Sequence, residues 1–192
     1  MILFDAETLG KDSTSVILSM AAIQFDPDNK LSYEQYQDSA FFVKLNARDQ
    51  VERLGRTISK NTIEWWKKQC ELVRKQSFIP SPDRDVLAED AFDQIRKWSV
   101  GTKEPKNSWV FARGNLDQLV MDSMEERLGI EPVFFFNRWR DVRTAVDFLT
   151  GSTNGYCDVD YEGFSPSKVI KHCPINDCAY DIMMILYGKS SE

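Results

Sequence analysis

Residues 1–10, MILFDAETLG, contain a short apolar run that is followed by two carboxylates, Asp5 and Glu7, with a single residue between them. Side chains two residues apart in a β-strand point to the same face of the sheet, so these two acids are expected to lie side by side. Phe4 and Ala6 would then point the other way, into the core. Neighbouring carboxylates raise each other's pKa unless a cation lies between them. Taken alone, the pair fits a divalent-metal site or a solvated strand end.

Composition indicates one ordinary globular domain over residues 1–192, with 42% hydrophobic and 28% charged residues. The sequence shows neither the ~18-residue apolar run of a membrane span nor the pattern of a signal peptide, so no membrane association is expected. Four cysteines are too few for a disulfide scaffold of this size and indicate a reducing, cytoplasmic setting. A net charge of −6 argues against nonspecific duplex DNA binding. It is compatible with a nuclease whose bound metal ions supply local positive charge.

The first half of the chain predicts three strands, at residues 2–6, Val16–Phe25 and Ala40–Leu45. The turn signal DPDNK, residues 26–30, follows the second of them, and a short connection implies antiparallel pairing. A fourth, short strand is expected at Trp109–Ala112. Helices are predicted at residues 59–76 with Thr62 as a possible cap, at Asp85–Val100, at about 115–128, at 141–149 and at 174–187. Strands followed by alternating helices and strands predict an α/β fold with a mixed sheet covered by helices.

A third acid, Asp117, follows the strand Trp109–Ala112 and falls in the first turn of the next helix. The carboxyl end of a strand is where α/β proteins bind ligands. The alternative is that Asp117 and Asn115 only stabilise the helix N-terminus, which favours such side chains.

The segment 172–182, HCPINDCAYDI, contains His172, the single histidine of the chain. Pro174 suits the first position of a helix, which places His172 on the loop entering that helix and Asp177 in its first turn. Asp181 lies one turn later on the same face. A zinc site built from His172, Cys173 and Cys178 is disfavoured, because adjacent residues cannot easily bind one ion together.

The motifs FDAETLG (4–10), RGNLD (113–117) and HCPINDCAYD (172–181), in this order, resemble the three motifs of the DEDDh 3′–5′ exonucleases. The further stretches TIEWWKKQ (62–69) and FFFNRWRDVRT (134–144) are similar to the DexA-type exonucleases of T-even-like phages and to a related bacterial exoribonuclease subgroup. The resemblance implies an RNase H-like fold and two Mg²⁺ or Mn²⁺ ions. It also implies that the substrate is the 3′ end of a single strand, in a bacterial or phage-infected cell.

The resemblance implies specific roles for the acids and the histidine. The metal ligands would be Asp5, Glu7, Asp117 and Asp177, since Mg²⁺ prefers oxygen ligands. His172 would act as general base, because a neutral imidazole accepts a proton near pH 7. Glu7 would also contact the terminal sugar hydroxyl.

Residues that bind the terminal nucleotide are expected beside this centre. Leu9 and Gly10 follow the first motif and would line the terminal base, and Trp65 and Trp66 are candidates for base stacking. The alternative for the two tryptophans is that at least one belongs to the core. Asp141 and Arg143 are expected to form a fixed ion pair near the site.

The leading hypothesis is therefore a metal-dependent 3′–5′ exonuclease that releases nucleoside 5′-monophosphates from single-stranded DNA or short oligonucleotides. A 3′–5′ exoribonuclease is the alternative within enzymes, since no residue pattern identifies recognition of a 2′-hydroxyl. A catalytically inactive nucleic-acid-binding module is a third, and the presence of all four acids and His172 argues against it. A homodimer is left open by the sequence.

Overall fold

The computed structural model describes residues 1–100 and 108–190, with the side chain of Val100 excepted. Within them, five strands form one sheet: β1 Ile2–Thr8, β2 Ile17–Gln24, β3 Phe41–Lys44, β4 Val110–Ala112 and β5 Trp139–Asp141. The α-helices are α1 Tyr33–Asp38, α2 Ala47–Glu52, α3 Lys60–Lys67, α4 Glu71–Val73, α5 Ala88–Val100, α6 Leu116–Leu128, α7 Val142–Thr150 and α8 Pro174–Tyr187.

The sheet has the order β3-β2-β1-β4-β5 and is mixed, as predicted. Strands β1, β2 and β3 pair antiparallel, and β1–β4 and β4–β5 pair parallel. The β1–β4 ladder contains only the partners Ile2–Val110 and Leu3–Phe111. Beyond Leu3 the two parallel strands therefore part, and a crevice opens at their carboxyl ends.

Alternation along β1 builds a core on each face of the sheet. Ile2 and Phe4 pack into a cluster with residues of α5 and α6 such as Phe92. Leu3 packs on the other face with residues of α8 such as Ile182. Because side chains alternate along a strand, the next residues on the Leu3 face are Asp5 and Glu7, and both acids are directed to the side covered by α8.

Two connections differ from the sequence-based prediction. The prediction joined the second and third strands by a turn, whereas the structure inserts α1 between them. Ser32 and Gln35 form a capping box that starts this helix. The helix predicted over 59–76 is divided: Ser59, not Thr62, accepts the capping hydrogen bond of α3, and a π-helical turn at Arg74–Phe78 follows α4.

The other predicted helices are confirmed, with small shifts of their ends. α6 ends at Gly129 in the left-handed conformation, with φ of 65°. α8 begins at Pro174, as expected. Along the described residues, no helix combines the length and the apolar character that crossing a membrane requires.

Candidate active site

The structure brings together the acids and the histidine that the sequence singled out. Asp5, Glu7, Asp117, His172 and Asp177 line one cavity of about 330 Å³, which we call the acid cavity. They come from β1, the start of α6 and the start of α8, three segments that are distant in sequence. The remaining described residues that line this cavity are Arg113, Leu116, Arg143, Tyr156, Lys171, Tyr180 and Asp181.

The crevice between β1 and β4 allows Asp117, in the first turn of α6, to reach the backbone of β1. Since β4 no longer pairs with β1 beyond Leu3, the backbone N–H of Ala6 is available and donates to Asp117 Oδ1 at 3.2 Å. On its other side, β1 pairs with β2 through an irregularity between Glu7 and Thr8. Such bulges redirect side chains and are common beside active sites.

His172 occupies a strained backbone position at the entrance to α8. Its φ is 64°, and among the described residues other than glycine no second one has a positive φ. Its backbone N–H donates to Asp177 Oδ2 at 2.8 Å, and its ring meets the edge of Trp65 at a centroid distance of 4.7 Å. One ligand atom each of Glu7, His172 and Asp177 lies within 4.8 Å of the others. The loop conformation thus places the imidazole beside the acids.

Burial and mutual repulsion raise the pKa of every predicted metal ligand. The pKa of Asp5 lies well above its usual value. Burial is the largest cause, and the negative charges of Asp117, Glu7 and Asp177 raise this pKa further. Burial likewise raises the pKa of Glu7 to about 8 and those of Asp117 and Asp177 to about 7. Hydrogen bonds from the backbone at Ala6 and His172 oppose these increases for Asp117 and Asp177.

The cavity suits divalent cations. Its described lining contains five carboxyl groups and three basic side chains, so ionised acids outnumber bases by two. Carboxylate oxygens are the ligands that Mg²⁺ and Mn²⁺ prefer. The group of described residues close enough to hold an ion contains no cysteine, and Cys173 and Cys178 are buried. The arrangement therefore supports an oxygen-rich metal centre rather than the zinc alternative.

Arg113 and Asp181 form a buried ion pair that the sequence analysis missed. Arg113 Nη2 lies 2.5 Å from Asp181 Oδ1, Nε donates to the same carboxylate, and Nη1 donates to the carbonyl oxygen of Gly155 at 3.0 Å. The guanidinium also stacks on the ring of Tyr156 at 4.3 Å. Asp181 thus forms an ion pair with Arg113, whereas Asp177 forms no ion pair with any described residue. Arg113 follows β4 directly and precedes Asp117 by four residues. This position could have marked Arg113 as a residue of the site, although not Asp181 as its partner.

The predicted ion pair between Asp141 and Arg143 does not form. Asp141 caps α7, where its Oδ1 accepts a hydrogen bond from the backbone N–H of Thr144 at 3.1 Å. Arg143 lines the acid cavity, and across residues 1–100 and 108–190 it has no ion-pair partner.

A second cavity, of about 540 Å³, adjoins the acid cavity and shares Glu7 and Leu116 with it. We call this second cavity the Trp65 cavity. Gly10 and Trp65 also line it, and Trp65 is 39% exposed. A Cβ atom at Gly10 would lie 2.2 Å from Ser15 Oγ, so any larger residue there would displace the buried side chain of Ser15.

Two residues predicted to bind the terminal base belong mainly to the core. The side chain of Leu9 is buried with Val73 and Trp66. Trp66 is completely buried, its ring stacks on Phe78, and its Nε1–H donates to the carbonyl oxygen of Thr8 at 3.0 Å. No face of Trp66 remains for a base, which leaves Trp65 as the candidate.

This assignment predicts different effects for the two tryptophans. We expect Trp66→Phe to lower the free energy of unfolding by about 1–3 kcal/mol, because the buried carbonyl of Thr8 loses its donor. Trp65→Phe should change it by less than about 0.5 kcal/mol, the usual range for surface substitutions. Urea denaturation of both variants measures the difference. Equal destabilisation would show that the two rings are not divided between core and surface.

Comparisons with known proteins identify the family and the fold of the chain. The family described as the 3′–5′ exoribonuclease Rv2179c-like domain matches residues 1–187. An exodeoxyribonuclease of Enterobacteria phage T4 is 27% identical over 208 residues, which cover 97% of this chain and 87% of that protein. The metal-free crystal structure of the E. coli ExoI–ssDNA complex matches 96% of this chain with a TM-score of 0.55 and 11% identity. The chain spans 37% of the ExoI chain, and this likeness shows a shared fold.

Proposed function

The chain belongs to the Rv2179c-like 3′–5′ exoribonuclease domain family. We propose that it is a metal-dependent enzyme that releases nucleoside 5′-monophosphates from the 3′ ends of single strands. The enzyme class, a 3′–5′ exonuclease, follows from the family and its relatives. Single-stranded DNA and short oligonucleotides are the substrates we favour, and the exodeoxyribonuclease of phage T4 supports this choice.

The observation that carries the proposal is the convergence of four carboxylates and one imidazole in a single cavity. Asp5, Glu7, Asp117 and Asp177 would hold two Mg²⁺ or Mn²⁺ ions. The chemistry that two such ions supply is stabilisation of the negative charge on the attacking and leaving oxygens of the phosphodiester. Burial raises the pKa of each of these acids, and the positive charge of bound ions would favour their ionised forms.

His172 would accept the proton of the attacking water at a ring nitrogen. Burial, and secondarily the charge of Lys171, lowers its pKa, so the imidazole is neutral and able to accept a proton at pH 7. Its backbone N–H is held by Asp177 and its ring by Trp65. These contacts orient the base toward the acids.

The second cavity would receive the terminal nucleotide. Glu7 lines both cavities, which supports a position between the metal ions and the terminal sugar, where it would accept a hydrogen bond from the 3′-hydroxyl. The exposed ring of Trp65 and the glycine backbone at Gly10 would contact the base. A stacked base contributes about 1–3 kcal/mol.

A 3′–5′ exoribonuclease is the second candidate, because the matching family carries that description. Incubating 5′-labelled DNA and RNA strands of one sequence with the protein, in Mg²⁺, Mn²⁺ or EDTA, separates the two. We expect 3′-shortened ladders with either metal and none in EDTA, with DNA cleaved faster. Faster cleavage of RNA would reverse the substrate assignment while leaving the metal centre and direction intact.

The raised pKa values of the buried acids predict how the stability of the metal-free protein depends on pH. Acids whose pKa is raised on folding hold more protons in the folded state, so the metal-free protein loses their contribution as pH rises from about 4 toward 8. We therefore expect Asp5→Asn to raise Tm in EDTA at pH 8, and to raise it less at pH 5. A change of 1 kcal/mol shifts Tm by about 2–4 °C in a protein of this size.

Adding Mg²⁺ or Mn²⁺ at pH 8 should raise Tm of the wild type and close the gap to Asp5→Asn, because a ligand that binds the folded state stabilises it. Differential scanning fluorimetry measures both effects without relying on activity. Equal responses of the wild type and Asp5→Asn to the metal would place the ions elsewhere.

A further inference from the structure

A third cavity adjoins the acid cavity, because its lining residues Gly114 and Asn115 lie between Arg113 and Leu116 of the acid cavity. It has a volume of about 420 Å³ and is lined by Gly114, Asn115, Gln118, Trp139, Arg140 and Asp141. A Cβ atom at Gly114 would lie 3.2 Å from Nη1 of Arg143, which itself lines the acid cavity. The three cavities thus follow one another: the Trp65 cavity, the acid cavity, and, past Arg143 and Gly114, the third cavity, which we call the Asn115 cavity.

This order fixes the course of a bound strand. If the terminal nucleotide occupies the Trp65 cavity and its phosphodiester meets the acids, the preceding nucleotide must leave on the opposite side. We assign that side to Arg143 and Gly114, because His172 on the other side contacts Trp65, whereas Arg143 of the acid cavity lies beside Gly114 of the third cavity. The Asn115 cavity offers amide side chains and one further guanidinium, Arg140, which suit a nucleotide.

The two arginines of the acid cavity differ in how far the protein itself occupies them. Arg113 is bound by Asp181, by the Gly155 carbonyl and by the ring of Tyr156. Arg143 is exposed and, within the described parts of the chain, has no ion-pair partner. The base of its side chain is nevertheless fixed, since a Cβ atom at Gly155 would lie only 2.5 Å from its Cβ and Cγ. Arg143 therefore has a packed Cβ and Cγ and an exposed guanidinium that forms no ion pair in the described parts of the chain, although its charge opposes the increase in the pKa of Asp117 and Asp181.

We propose that Arg143 binds the backbone phosphate immediately 5′ of the scissile phosphodiester, with the upstream nucleotide in the Asn115 cavity. A guanidinium donates two parallel hydrogen bonds to a phosphate, which gives both charge and direction. The enzyme would accordingly favour substrates that have at least one phosphodiester upstream of the bond it cleaves. This inference rests on the proposed exonuclease function and assigns a residue to the next phosphate along the strand.

The test combines one protein substitution with one change of charge in the substrate. A trinucleotide has a scissile and an upstream linkage, and a methylphosphonate at the upstream linkage removes only that phosphate's charge. kcat/KM is measured for the trinucleotide, its methylphosphonate form and a dinucleotide, with wild type, Arg143→Gln and Arg143→Lys. Arg48→Gln, a surface change of equal charge on α2, is the matched control.

We expect the methylphosphonate to lower kcat/KM of the wild type and of Arg48→Gln by about 10- to 100-fold, the usual effect of hydrogen bonds to a charged group. Arg143→Gln should lower trinucleotide cleavage by a similar factor, respond less than about 3-fold to the methylphosphonate, and lose less activity on the dinucleotide than on the trinucleotide. The kcat/KM of Arg143→Lys should lie between those of the wild type and Arg143→Gln, because lysine keeps the charge but lacks the two parallel N–H donors of a guanidinium.

Two results would overturn the assignment of Arg143. One is an equal methylphosphonate effect in the wild type and Arg143→Gln, which would mean that another group binds the upstream phosphate. The other is an equal loss on the dinucleotide and the trinucleotide, which would place Arg143 on the scissile phosphate or the acids. Failure of the wild type to cleave any of these substrates with Mg²⁺ would instead refute the proposed function itself.

Discussion

Replacing Asp177 with asparagine is expected to abolish Mg²⁺-dependent cleavage, whereas Asp181→Asn should reduce turnover by only about 10- to 100-fold. Both acids lie on α8, one turn apart, and both line the same cavity. Asp181 is already paired with Arg113 at 2.5 Å, so its charge is neutralised by the protein. Asp177 faces Glu7 and His172 and, within residues 1–100 and 108–190, forms no ion pair, so its charge would be available to a metal ion. An asparagine at 177 keeps the shape of the side chain but loses the charge.

Turnover of one labelled oligonucleotide at saturating Mg²⁺ measures both variants. Asp93→Asn, an exposed acid on α5, is the matched control and should behave as the wild type does. Because Asp181→Asn leaves Arg113 without its partner, circular dichroism must show that this variant is folded at the assay temperature. The fourth metal ligand would be misplaced if Asp181→Asn were the more damaging change in folded protein.

Substitution of His172 is expected to lower kcat by about 10²- to 10⁴-fold, the usual contribution of a general base. Metal affinity should change little, since the four carboxylates remain. The backbone at this position complicates a single substitution, because φ of 64° is unfavourable for alanine and tolerated by asparagine. His172→Ala and His172→Asn should therefore lose activity equally, although only the alanine variant loses stability.

This pair of variants separates the imidazole from the loop that holds it. Single-turnover rates report the chemical step, and Mn²⁺ titration reports the metal centre. If His172→Asn retained the wild-type rate, the imidazole would have no catalytic role. If it lost metal binding along with rate, His172 would be a ligand rather than a base.

The acid cluster could be predicted because each acid follows from a local rule. The alternation of β1 places Asp5 and Glu7 on one face. The end of a strand before Gly114 places Asp117 at the carboxyl edge of the sheet, and Pro174 sets the start of α8 so that Asp177 lies in its first turn. The same alternation placed Phe4 and Ala6 in the opposite core.

The features that sequence reasoning missed depend on contacts between distant parts of the chain. Arg113 and Asp181 are separated by 68 residues, and no local pattern links them. Adjacent tryptophans on one helix have similar local surroundings, so only packing against Phe78 decides that Trp66 is the buried one. Helix α1 is a different case, since the capping-box residues Ser32 and Gln35 were visible in the sequence.

Divalent ions held by the acid cluster are essential to the proposed reaction, and a metal titration with a labelled strand measures this requirement. A 5′-labelled single strand is incubated with protein stripped of metal by EDTA, then with increasing Mg²⁺ or Mn²⁺, in parallel for the wild type and Asp5→Asn. We expect no cleavage without metal, 3′-shortened products and nucleoside 5′-monophosphates once metal is added to the wild type, and no products from Asp5→Asn at any metal concentration. Cleavage in EDTA, or wild-type turnover by Asp5→Asn, would contradict this requirement.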